Sequence, residues 1–265
     1  IRAVAFRQHV LPHFLEGPVR YLKLRLPAET KREVYEKVRS SQLYDSELSM
    51  YKVNEPLAKE SYELGRCRAF TPGWLENESI WLHMEYKYLL ELLKSGLYQQ
   101  YIGDLYKAAI PFQDEERYGR SILENSSFLA SSANPDESIH GRGFVARLSG
   151  STVEFMDMWQ RMMFGHTPFR EEDDKLVFAL QPVIPSYLLD QERRVEAVFL
   201  GKVRIVYHVD AEDADYIPEN YEVVQYCLTG EKDKEIHIYQ NQIMGEEAEN
   251  IRAGKYTQIE VWIKK

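Results

Sequence analysis

Two cysteines in 265 residues, Cys67 and Cys227, are too few and too far apart for a disulfide framework, so a reducing cytoplasm is the default compartment. No run approaches the roughly 18 consecutive apolar residues that a membrane-crossing helix requires. Positive charge is not in excess: the net charge of −9 argues against a nucleic-acid partner, which would leave a basic stripe. Zinc-ligand spacings, a phosphate-binding P-loop, a dinucleotide fingerprint and a nucleophile elbow are all missing, so neither metal nor organic cofactor is expected. The first residues, Ile1-Arg2-Ala3-Val4, are neither an initiator Met nor a signal peptide, and the expectation is a chain cut from the middle of something longer.

What is present is apolar and aromatic. The hydrophobic fraction of 44% suffices for a large core, and 18 Tyr, 11 Phe and 4 Trp are many for this length. Aromatic residues are foremost ordinary core filler, and they also suit sugar-handling grooves, which stack rings on pyranose faces.

Two regimes of spacing follow one another along the chain. Up to about residue 168 the apolar period is helical. The clearest helix begins after Glu78, with Ser79 as a cap. Ile80, Trp81, Met84, Tyr88, Leu89, Leu92 and Leu93 recur at steps of three and four, and Gly96 stands where a left-handed C-terminal cap belongs. A second helix is predicted from about Thr152 to Phe164, stopping at Gly165, and segments 28–41 and 98–110 read as helices too. From Lys175 onward, segments 176–180, 195–200, 203–208, 221–228, 235–239 and 256–263 are strand-length and rich in Val, Ile, Tyr and Phe. Their spacing predicts an antiparallel sandwich or curved sheet. The expected organisation is α+β: a helical domain over 1–168, a polar boundary at 167–174, and a β domain over 169–265.

Three clusters carry candidate chemistry. In the first, the turn Pro72-Gly73 leads through Glu76, Asn77 and Glu78 into the helix bearing His83. Ser79, His83 and Lys87 share one helical face, so His83 can address an anion near the helix N-terminus. A hydrogen-bonded structural histidine and plain capping chemistry are the competing explanations. In the second, Gly141, Gly143 and Gly150 precede a helix, with Arg142 and Arg147 supplying positive charge. Free backbone N–H groups there suit an oxyanion, while Ser151-Thr152-Val153-Glu154 has the form of a capping box. The third is acidic: Glu76, Glu78 and Glu124 offer the paired carboxylates that glycoside cleavage uses.

Taken together, the two loop–helix clusters resemble glycoside hydrolase family 94, formerly glycosyltransferase family 36, which holds the cellobiose and oligoglucan phosphorylases. The family's stretch Pro-Gly-x-x-Glu-Asn-Gly-Gly-x-x-x-His corresponds here to Pro72, Gly73, Glu76, Asn77 and His83, with Glu78 and Ser79 in place of the two glycines. Its later Thr-Gly-Ser/Thr-Ala motif corresponds to Ser149-Gly150-Ser151, preceded by Gly141-Arg142-Gly143, with Arg147-Leu148 where aromatic residues are usual. The likeness covers residues 60–165, and more loosely a C-terminal sheet that includes 198–201 and 203–207.

The resemblance implies the C-terminal helices of an (α/α)6 toroid followed by the β domain. It implies inverting phosphorolysis of a β-linked gluco-oligosaccharide, with inorganic phosphate as co-substrate and His83, Ser149 and Gly150 as its holders. Glu76, Asn77, Glu124, Arg142 and Arg147 are the expected substrate contacts, and the general acid is expected upstream of Ile1. This chain alone is then expected to be inactive. Expected partners are an oligosaccharide and the preceding part of the same enzyme, with room for a homodimer. Two alternatives stay open: an inverting hydrolase of the same fold with Glu124 or Glu78 as base, and a non-catalytic carbohydrate-binding or scaffolding subunit.

Overall fold

The computed structural model describes residues 3–6, 8–146, 149–211, 213–230 and 234–265, with Ala146 and Ser149 described through their backbone. Helix and sheet are mixed in an α+β arrangement. The chain divides into two compact units, Ile1–Met158 and Trp159–Lys265. The sequence predicts a boundary at residue 168, ahead of the polar stretch 169–174. The polar stretch there forms a β-hairpin, β6 (Phe169–Glu172) and β7 (Lys175–Phe178). Asp173 and Asp174 both have left-handed φ, 49° and 58°, as a two-residue primed turn demands.

The first unit opens with α1 (Glu16–Leu22), α2 (Ala28–Ser40) and the short pair β1 (Tyr44–Asp45) and β2 (Met50–Tyr51). There follow β3 (Ile80–Trp81), α3 (Leu82–Lys94), α4 (Tyr98–Ala108), α5 (Glu115–Tyr118), β4 (Ser126–Leu129), β5 (Gly143–Ala146) and α6 (Ser149–Phe164). Helix α3 ends as its sequence dictates. Gly96, at φ +74°, donates to the Leu93 carbonyl while Leu97 donates to that of Leu92, the paired bonds of a Schellman cap. Ser79 does not cap the helix: its hydroxyl donates to the Leu75 carbonyl, and α3 begins three residues later. The tyrosines are largely core. Tyr51, Tyr86 and Tyr118 are fully buried, and their hydroxyls donate to Asp104, Asn125 and the Glu124 carbonyl.

One small sheet positions the candidate site. Strand β4 pairs antiparallel with β3 on one side and with β5 on the other, so β3 and β5 run in the same direction. Trp81, Phe128 and Phe144 stand in register across it. The Trp81 and Phe128 rings stack at 5.8 Å, and Phe128 and Phe144 at 5.7 Å. Trp74 closes the cluster edge-on, 4.4 Å from Phe144 and 5.0 Å from Phe128.

The second unit adds β8 (Arg194–Phe199), β9 (Val203–Val209), β10 (Glu222–Thr229), β11 (Glu235–Ile238), β12 (Ile243–Met244), α7 (Glu246–Arg252) and β13 (Gln258–Lys264). Its larger sheet has the order β11-β10-β13-β9-β8, and a three-stranded sheet has the order β12-β7-β6. The expectation of an antiparallel sheet needs correction. Strand β13 returns after α7 and inserts between β10 and β9, antiparallel to the first and parallel to the second, so the sheet is mixed. A two-residue hairpin cannot make a parallel neighbour; the long return through α7 can. Phe169 and Phe178 of the small sheet meet Phe199, at 5.9 and 5.8 Å, and Phe178 meets Tyr226 of the large one.

Candidate functional site

The loop entering β3 is a backbone staple. Gly73 sits at φ +73°, and a Cβ there would lie 2.5 Å from the Asn134 backbone nitrogen. Glycine is therefore required twice over, by conformation and by close approach. Trp74 and Asn77 exchange backbone hydrogen bonds, and Asn54 clamps the next turn by donating to the Glu76 carbonyl and accepting from the Glu78 N–H. Glu78, where the resemblance has a glycine, holds φ +57°, a glycine-like conformation that costs a side-chain-bearing residue roughly 1–2 kcal/mol. Its carboxylate turns inward to Lys52 Nζ at 3.1 Å, and both side chains are nearly buried.

Both candidate anion holders leave the same sheet. Strand β3 runs directly into α3, whose second residue is His83, and β5 leads to α6, whose second residue is Gly150. Because β3 and β5 are parallel and flank β4, their C-terminal ends lie roughly 10 Å apart, and both helices start from one side of the sheet. The His83 ring closes that gap. A Cβ on Gly150 would stand 2.7 Å from His83 Nδ1 and 2.8 Å from Cε1, so the imidazole rests against the α6 backbone where only glycine leaves room. Helix N-termini carry unsatisfied N–H groups and partial positive charge. Two of them therefore meet around this imidazole.

Burial holds the His83 imidazole below its ordinary value, Lys87 adds to the shift, and Glu154 opposes it. The Glu154 carboxylate reaches to 3.6 Å from His83 Nε2. That contact replaces the capping box expected at Ser151 and Glu154: α6 starts at Ser149, so Ser151 lies inside the helix, fully buried, and Glu154 is free to face His83.

The remaining candidates make their contacts elsewhere in the first unit. Glu76 forms a two-pronged pair with Arg66, at 2.8 and 2.7 Å, which lowers its carboxyl below the usual range. With Trp81, Met84, Asn54 and Cys67 it lines a 560 Å³ cavity. Asn77 is buried and donates to the Phe70 carbonyl. Glu124, half-exposed, pairs with Arg120 at 2.9 Å. The Arg142 guanidinium lies against Gly119. Arg147, Leu148 and the side chain of Ser149 lie outside the described residues.

Sequence reasoning missed the Glu154 approach, the Lys52 partner of Glu78, and the sheet that unites the two helices. The two residues of β3 carry no alternation, and the Ser and Gly that open β4 and β5 read as turn residues. Comparison with protein-family models gives no match, and comparison with curated proteins gives none either.

Proposed function

We propose that this chain is the C-terminal part of an inverting phosphorylase that cleaves a β-linked gluco-oligosaccharide with inorganic phosphate, its helices being the last of an (α/α)6 toroid. The observation that carries the reading is the seating of the His83 imidazole on Gly150, between the N-termini of α3 and α6. That arrangement concentrates N–H donors around one point, the chemistry an oxyanion needs.

In this reading the anion is phosphate, held by His83, the Gly150 N–H and Ser149. The inward turn of Glu78 onto Lys52 supports it, because that carboxylate is then withdrawn from the anion. In this reading the cavity lined by Trp81, Glu76 and Arg66 takes the sugar: the Trp81 ring offers a face for a pyranose, and the Glu76–Arg66 pair offers planar acceptors and donors for its hydroxyls. An acid supplied by the preceding part of the polypeptide protonates the glycosidic oxygen. A phosphate oxygen attacks the anomeric carbon from the opposite face, the C–O bond to the leaving sugar breaks, and the product is the α-sugar 1-phosphate. Phosphate thus stands where an inverting hydrolase keeps a water and its carboxylate base.

Glu124 and Glu78, the candidate bases of the hydrolase reading, are both engaged by cations, which favours phosphorolysis over hydrolysis. Among the described residues no helix is long and apolar enough to cross a membrane. The test is to incubate the polypeptide that contains this chain with β-linked gluco-oligosaccharides, with and without phosphate. Phosphate-dependent release of an α-sugar 1-phosphate is the expected outcome. Equal cleavage without phosphate returns the assignment to a hydrolase, and sugar binding without cleavage to a binding subunit.

A further inference from the structure

Strands β10 and β11 form the hairpin at one edge of the five-stranded sheet, and their register sets Cys227 directly opposite His237. Glu235 stands two residues before His237 and so projects from the same face. The Cys227 Sγ lies 4.0 Å from His237 Nε2, and a Glu235 carboxylate oxygen lies 3.4 Å from the same nitrogen. All three donor atoms fall within 4.8 Å of one another. We propose that Cys227, Glu235 and His237 are the ligands of a zinc-class transition-metal site, unrelated to the phosphate site of the first unit.

The geometry is close to what such an ion requires. Zinc bond lengths at a tetrahedral angle put sulfur and nitrogen roughly 3.6 Å apart, and nitrogen and oxygen roughly 3.4 Å apart. The nitrogen–oxygen separation already has that value, the sulfur–nitrogen one needs a few tenths of an ångström, and the sulfur–oxygen one, within 4.8 Å, closes by rotation of the exposed Glu235 side chain. The donor set selects the metal: thiolate with imidazole favours zinc or its neighbours over calcium and magnesium, which take oxygen. Three protein ligands leave the fourth position to water, the donor count of an open zinc site. A partner for the histidine is in place as well. The Gln225 Nε2 is 3.3 Å from His237 Nδ1; a flip of the amide, which exchanges its nitrogen and oxygen, lets it accept from Nδ1–H and fix the tautomer that leaves Nε2 free to bind. His237 and Glu235 are half-exposed, which gives the ion a path from solvent. On binding, the Cys227 thiol loses its proton to solvent and the ion ties the edge strand to its neighbour.

The sequence gives little sign of this site. Seven residues separate Cys227 from Glu235, outside the short repeats of zinc fingers, and only the strand register brings the side chains together. The test uses the 265-residue chain, freed of metal, titrated with Co²⁺ and then with competing Zn²⁺. We expect one Co²⁺ per chain, intense visible bands of a four-coordinate ion, a near-ultraviolet thiolate-to-cobalt band, and displacement by Zn²⁺. Cys227→Ser should abolish the thiolate band. Because Cys227 is buried and its replacement can disturb folding, His237→Ala at a half-exposed position is the second variant; it should weaken binding by at least the 10–100-fold that loss of a supporting partner costs, and Gln225→Ala by about 10–100-fold. A thiolate band that survives Cys227→Ser, affinity unchanged in a folded His237→Ala variant, or no stoichiometric Co²⁺ binding at all would each overturn the proposal.

Discussion

A single missing side chain, the hydrogen of Gly150, decides whether His83 can reach the α6 backbone. Gly150→Ala puts a methyl group 2.7 Å from Nδ1 and must push the imidazole away. Alanine improves helix propensity by about 1 kcal/mol over glycine, so phosphate affinity should fall without an equal fall in thermal stability, as phosphate titration and melting together will show. Under the proposed phosphorolysis, His83→Ala should raise the KM for phosphate and slow turnover by roughly the hundredfold that loss of one stabilising donor costs. Ser149→Ala should do less, since the Gly150 N–H remains. Glu154→Gln should shift the other way: its carboxylate supports the charged imidazole and repels phosphate, so its loss should lower the His83 pKa further while tightening phosphate binding, by NMR titration of the imidazole and by KM. At this scale the sequence was informative where backbone demands leave a signature. Gly73 and Gly150 stand at close approaches that admit no Cβ. Glu154 was illegible because Ser151, three residues before it, made a capping box that fitted the local pattern equally well.

Among the elements, the β3-β4-β5 sheet sets the direction of both α3 and α6, and Phe128 is its hub, buried and flanked by Trp74, Trp81 and Phe144. Phe128→Ala should cost about 3–5 kcal/mol, and phosphate affinity should fall with it, because the helix starts lose their common base. Helix α3 carries a second lever. Burial raises the Glu85 carboxyl well above its ordinary value; Asp104 and Asp45 push the same way, and the Tyr51 N–H opposes them. A group whose pKa is higher folded than unfolded supports stability fully below its unfolded value, near 4.5, and loses that support as pH rises toward the folded value. Glu85→Gln cannot titrate, so it should match the parent protein in acid and surpass it increasingly above pH ~5 in melting experiments across pH. Helices α2, α3, α4 and α6 were legible because each is long enough for its period to repeat, and six strands of the second unit because they are rich in Val, Ile, Tyr and Phe between turn residues. β3 is only two residues long, and β4 and β5 open on Ser126-Ser127 and Gly143, which mark turns as readily as strands. The mixed order of the large sheet was hidden too, because alternation marks a strand but not its neighbour.

On the scale of the whole molecule, the proposed anion site lies in the first unit, and a β unit follows it in sequence. If the helices are the last of a toroid, the 265-residue chain alone should show no phosphorolysis of β-linked gluco-oligosaccharides, and detectable turnover by it would end that part of the reading. Chemistry at the acid does not enter the phosphate site itself, which can be probed in this chain directly. The decisive measurement is a ³¹P NMR titration of inorganic phosphate into the chain and its Gly150→Ala, His83→Ala and Glu124→Gln variants. The expected result is saturable binding that is lost or much weakened in the first two and retained in the third. Absence of saturable binding, or one affinity shared by all four proteins, would contradict it.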